Sequence, residues 1–170
     1  MSMTNIRIVI NFIFFMFSLF ISFNSISDTK VINLTINQST LKDVNKLYET
    51  ERKGDLGYKL DPSKVPIQDV VEASVVIYEG KLKVVSFTFY DSKYSYLNEL
   101  LKSKYKLISE ENNVVSKLTT FENNGDMIFL KSNGGKYIEL IYVNKEYNIL
   151  VNKSVNKRKE KERDNDFGHL

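Results

Sequence analysis

The chain has 170 residues with 24 basic and 21 acidic side chains, and its formal net charge of +3 is too small to point to nucleic acid. It contains no cysteine, which excludes disulfides, thiol catalysis, thiolate metal sites and a lipid anchor on a cysteine. Its single histidine, His169, is expected in an unsupported tail, where it cannot serve a Ser-His-Asp triad, a histidine base or a histidine-ligated zinc.

The first residues carry the clearest local pattern. A short basic start, Met1 to Arg7, leads into an apolar run from Ile8 to Phe23, and small residues follow at Ser25 and Ser27. Basic, apolar and small-x-small segments in that order read as a secretory signal peptide cleaved between Ser27 and Asp28. An uncleaved membrane anchor is the rival reading. The apolar run holds Asn11 and covers about 16 residues, short of the ~20 that span a bilayer. Export to a bacterial periplasm, or secretion, is therefore expected. Cleavage leaves roughly 140 residues, the size of one domain.

Val31 to Ile36 alternates in the manner of a first strand. Thr40, with Asp43 three residues on, then reads as a helix N-cap, and Leu41, Val44, Leu47 and Tyr48 mark one helical face. Residues 51–66 hold both prolines and two glycines, so a long loop is expected there, and long loops are often functional. From Val70 to Tyr90 two strand-like runs flank Glu79-Gly80-Lys81 as a hairpin. Tyr94, Leu97, Leu100, Leu101 and Tyr105 then mark a second helix. Three strand candidates follow: Lys106 to Glu110 running on through Val114 to Phe121, then Asp126 to Lys131, then Lys136 to Val143. Their turns are set at Asn112-Asn113, Asn123-Asn124-Gly125 and Asn133-Gly134-Gly135. A third helix from Lys145 is expected to fray after about Lys159.

The predicted class is α+β: an antiparallel sheet with two to three helices on one face, in an order that suggests a duplicated strand-helix-hairpin unit. Residues 1–27 form the signal peptide, 28–155 the single domain and 156–170 a charged tail. Basic and acidic residues alternate in that tail, so it is expected to be solvated and to give at most weak contact with a membrane surface.

No catalytic constellation stands out. Ser39-Thr40-Leu41-Lys42 has the Ser-x-x-Lys spacing of penicillin-binding proteins, but the accompanying motifs are missing and a helix cap accounts for Ser39 and Thr40. Glu110, Glu111, Glu122, Asp126 and Glu139 are the carboxylates available to a cell-wall hydrolase, and their spacing selects no pair. Asp164-Asn165-Asp166 mimics the start of a calcium loop without its closing glutamate. Neither a metal nor any other cofactor is called for.

Tyrosine is abundant, at 10 residues against no tryptophan. Tyr90, Tyr94 and Tyr96 cluster near the second helix, and Tyr58 and Leu60 offer apolar anchors in the 51–66 segment. These five residues form the candidate binding surface, because tyrosine gives contact area at low entropic cost. The strand Leu34 to Ile36, the capped helix Thr40 to Leu47 and the later Gly-turned hairpin resemble small envelope domains of the SmpA-like outer-membrane assembly accessory type. The resemblance covers about a third of the chain and is architectural. It implies a non-catalytic role docking on another envelope protein, with no residue role carried across. The expected function is thus exported binding of a protein partner in the cell envelope, of inhibitor, immunity or assembly-accessory type. The alternatives are a carboxylate-dependent hydrolase and a membrane-tethered envelope protein.

Overall fold

A computed structural model of the chain describes residues 28–167. Residues 1–27, with Ser27 of the expected cleavage point, lie outside them, as does His169. The described residues form an α+β fold. Its helices are α1 (Leu41–Leu47), α2 (Tyr94–Lys104) and α3 (Lys145–Phe167). A two-stranded ribbon, β1 (Lys30–Val31) and β2 (Leu34–Thr35), precedes an eight-stranded antiparallel sheet. The sheet's strands are β3 (Thr50–Lys53), β4 (Gly57–Leu60), β5 (Glu72–Tyr78), β6 (Lys81–Tyr90), β7 (Lys106–Asn112), β8 (Lys117–Asn123), β9 (Asp126–Ser132) and β10 (Tyr137–Val143).

The sheet order is β3-β4-β5-β6-β10-β9-β8-β7. Two halves follow from it: α1 leads into the meander β3 to β6, and α2 leads into the meander β7 to β10. The last strands of the halves, β6 and β10, pair antiparallel in the middle, while the first strands, β3 and β7, form the two edges. The duplication in the element order is therefore present, but its unit is a helix followed by four strands.

Local chemistry explains the joints. In α1 the Thr40 side chain accepts from the Asp43 N–H, and the Asp43 carboxylate accepts from the Thr40 N–H at 3.0 Å, a complete capping box. That backbone bond, before any other cause, holds the Asp43 carboxyl below its ordinary value. Glu79-Gly80 and Asn124-Gly125 both take positive φ, which matches the twist of the strands they join.

Strand periodicity places the core on one face. Leu60, Ala73, Phe87, Leu140 and Leu130 follow one another across five strands, and Val75, Val85, Tyr142, Ile128 and Phe121 form the next row. All are buried, together with Val44 and Tyr48 from the first helical segment and Leu97 and Leu101 of α2.

Several expectations are corrected. Val31 to Ile36 is not one strand but a tight ribbon, with Ile32 and Asn33 both at positive φ in its turn, and this turn brings Val31, Leu34 and Ile36 all into the core. Residues 51–66 are not a long loop. Gly54 and Gly57 punctuate the β3–β4 hairpin, and Pro62 opens a short 3-10 helix, Pro62–Lys64, capped by Asp61. The charged Thr-Glu-Arg-Lys run is an edge strand, where exposure on all sides removes the usual alternation. The run from Lys106 to Phe121 is two strands, with the turn at Val114-Val115. Leu47 is 48% exposed, because only Val44 and Tyr48 face inward. The helices do not form one layer. α3 continues to Phe167 and stands largely in solvent, since beyond Val155 it offers no apolar stripe to bury.

Candidate functional site

The face of the sheet opposite the core carries a different set of residues. Lys59, Ser74, Ser86, Ile141, Phe129 and Thr120 make one row across it, and Val76, Val84, Val143 and Met127 make the next. Val76, Val84, Met127, Phe129 and Ile141 are half-buried there. The Ser74 and Ser86 hydroxyls satisfy each other at 2.8 Å. Glu72, Thr88, Glu139 and Lys131 continue in line toward one end of the sheet, where Tyr90 lies opposite Tyr137 with ring centroids 5.5 Å apart. The Lys136 ammonium lies 5.4 Å from both tyrosine rings, a geometry that favours a cation on each π face.

The five residues anticipated for binding do not share one surface. Leu60 is 1% exposed and Tyr94 is buried with its hydroxyl on Thr119, so neither can anchor a partner without unfolding. Tyr58 packs half-buried against the core. Tyr90 belongs to the open face, whereas Tyr96, 65% exposed, projects from α2 on the covered side. Sequence reasoning missed the Tyr90–Tyr137 pair, which only the β6–β10 register creates.

The candidate carboxylates are likewise dispersed. Glu110 accepts from Asn98 Nδ2 at 2.9 Å and from Lys102 Nζ at 3.2 Å, tying the edge strand β7 to α2. Those bonds, Asn98 first, hold its carboxyl below the ordinary range. The Asn98 Oδ1 is buried without a hydrogen-bond partner among the described residues. Glu122 pairs with Lys106 on the open face, at the other end of the same edge strand. Ser39, of the Ser-x-x-Lys spacing, accepts from the Thr35 N–H at 2.8 Å. Among the described residues there is no group of three metal-ligating side chains, and no helix is long and apolar enough to cross a membrane.

Among the described residues, Asp126 is the buried carboxylate. It sits at the end of the sheet where the chain enters the fold, accepting from Asn144 Nδ2 at 3.2 Å. Burial pushes its carboxyl above the ordinary value of 3.8, against hydrogen bonds from Thr29, Asn144 and the Lys145 backbone, with Asp28 adding repulsion. The folded state thus holds this proton more tightly than the unfolded chain, and ionising Asp126 costs stability. The cost is absent below the ordinary value, grows as pH rises through the raised one and is constant above it. Asp126→Asn is expected to raise the urea midpoint at neutral pH and to lose that gain in acid. An equal gain at both pH values would show that packing, not ionisation, is responsible.

No protein-family model matches the chain, and no curated protein or solved structure is significantly similar to it.

Proposed function

We propose that the protein is an exported, non-catalytic binding protein that receives a protein partner on the open face of its sheet. The supporting observation is the asymmetry of the sheet: one face is closed by the core, and the other presents half-buried Val76, Val84, Met127, Phe129 and Ile141 within a polar surround of Lys59, Glu72, Lys131 and Glu139. An apolar centre with a charged rim is the usual composition of a specific interface. With strands ~4.8 Å apart, eight strands of about seven residues present roughly 800 Å², the area that one partner contributes to a complex of standard size. Hydrogen-bonded strands are already ordered, so docking on them loses little conformational entropy. Tyr90 and Tyr137 add aromatic anchors at the rim. An inhibitor, an immunity protein or an assembly accessory would each use such a face. The signal-peptide reading of residues 1–27 is what supports export.

Affinity capture from an envelope extract, with residues 28–170 as bait, tests this reading. Thr88→Arg is the informative variant. Thr88 lies directly between Glu72 and Glu139, so the guanidinium has carboxylates on both sides and the sheet keeps its stability while the face is obstructed. Capture is expected to fall at least about tenfold with the unfolding midpoint unchanged. Undiminished capture by this variant would move the binding surface elsewhere.

A further inference from the structure

We infer that the end of the sheet formed by the 113–116 and 133–136 turns docks onto an anionic lipid surface. Three independent observations meet there. The first is a turn that breaks its own chemistry. The other tight turns of the sheet use Gly54, Glu79-Gly80, Asn124-Gly125 and Asn133-Gly134-Gly135, whereas the β7–β8 turn places Val114 and Val115 at its tip, closed by the Asn113 N–H on the Ser116 carbonyl at 2.8 Å. β-Branched residues are poor turn formers, and these two bury nothing in the fold: Val114 is fully exposed and Val115 is 71% exposed. Aliphatic side chains held in water against local preference mark a contact site.

The second observation is the support of that tip. A Cβ on Gly134 would lie 2.5 Å from the Val115 carbonyl oxygen, and Gly134 has φ +70, so this glycine lets the 133–136 turn brace the valine turn. The third is the order of chemistry behind the tip. Ile138, Ser132 and Lys117 are consecutive partners across β10, β9 and β8. Tyr90, Tyr137 and both turns therefore lie beyond that row, at the same end. Lys136 covers the Tyr90 and Tyr137 rings and Lys117 covers Tyr94, and neither lysine is in an ion pair among the described residues. Of the carboxylates around them, Asp91 accepts from the Ser132 hydroxyl at 2.7 Å and Glu110 from Asn98 and Lys102, while Glu99 and Glu111 line the same groove as Lys117.

An aliphatic tip flanked by amphipathic tyrosines and by lysines outside any ion pair combines the groups that meet the acyl chains, the interface and the anionic headgroups of a bilayer. The chain enters the fold at the opposite end, where Thr29 bonds Asn123, and α3 also starts there, beside Asp126. The valine end is thus free to approach a surface. The lysines lie over aromatic rings and outside any ion pair among the described residues, so their charge is available to anionic headgroups.

Residues 28–170, the product expected from cleavage after Ser27, are the material for the test, and among the described residues the buried core runs from Val31 to Val143. Sedimentation with vesicles of phosphatidylglycerol and phosphatidylcholine is expected to pull the protein down, and pure phosphatidylcholine much less. Val114→Asp with Val115→Asp should lower the partition about tenfold or more, and Lys117→Gln with Lys136→Gln about fivefold per lysine in low salt. Melting temperatures should stay unchanged in the valine variant, since Val114 is fully exposed and Val115 is 71% exposed. The chain has no cysteine, so Val114→Cys can carry a single environment-sensitive dye, whose emission should shift to the blue on anionic vesicles. Absence of sedimentation by the unaltered protein overturns the inference. So does sedimentation that survives the valine changes but is lost on Lys157→Gln with Arg158→Gln, which would assign the contact to α3. Loss of partner capture in the valine variant without any vesicle binding would overturn it too, by assigning the tip to a protein interface.

Discussion

Replacing Phe87 with alanine is expected to lower the unfolding free energy by ~3 to 5 kcal/mol, the largest effect of any single side chain considered. Phe87 is 1% exposed on the central strand β6, between Ala73 of β5 and Leu140 of β10. Its ring lies 6.3 Å from that of Phe89 and 6.4 Å, edge-on, from that of Tyr142. Continuous ladders on both sides hold the backbone, and the small neighbour Ala73 cannot swing in, so the cavity has little means of collapsing. Urea denaturation should show a lower midpoint with an unchanged slope. A loss under about 1 kcal/mol would mean that the centre of the sheet is not the centre of the core.

Leu101→Ala is the second large effect, at ~2 to 5 kcal/mol, and Leu47→Ala is its contrast at under about 1 kcal/mol. Both leucines belong to apolar helical patterns, and the patterns alone predict equal losses. In the structure Leu101 is 3% exposed against the sheet, while Leu47 is half in water because α1 is only 7 residues long and seats itself through Val44 and Tyr48. Tyr48 also donates to the Ile32 carbonyl at 2.7 Å, which pins that end of the helix without help from Leu47. The same denaturation experiment on both variants separates the two cases. Equal losses would place Leu47 in the core after all.

Interactions within a few residues were legible in the sequence of this protein. The α1 capping box, the buried stripe Tyr94, Leu97 and Leu101, the Glu79-Gly80 and Asn124-Gly125 turns and the α+β class are all present, because each depends on spacing along the chain and on the φ angles that particular residues tolerate. Tertiary structure decided what depends on partners distant in sequence. The β6–β10 pairing put Tyr90 beside Tyr137 and separated both from Tyr96; the edge position of β3 turned a loop-like run of charges into a strand; the sharp turn at Ile32 and Asn33 folded one apparent strand into two. Side-chain period says that a strand has two faces, but not which face the rest of the chain will cover. That choice is made when the two four-strand halves join at β6 and β10 and bury one continuous core, and the open sheet face and the valine-tipped end are what the joining leaves in solvent.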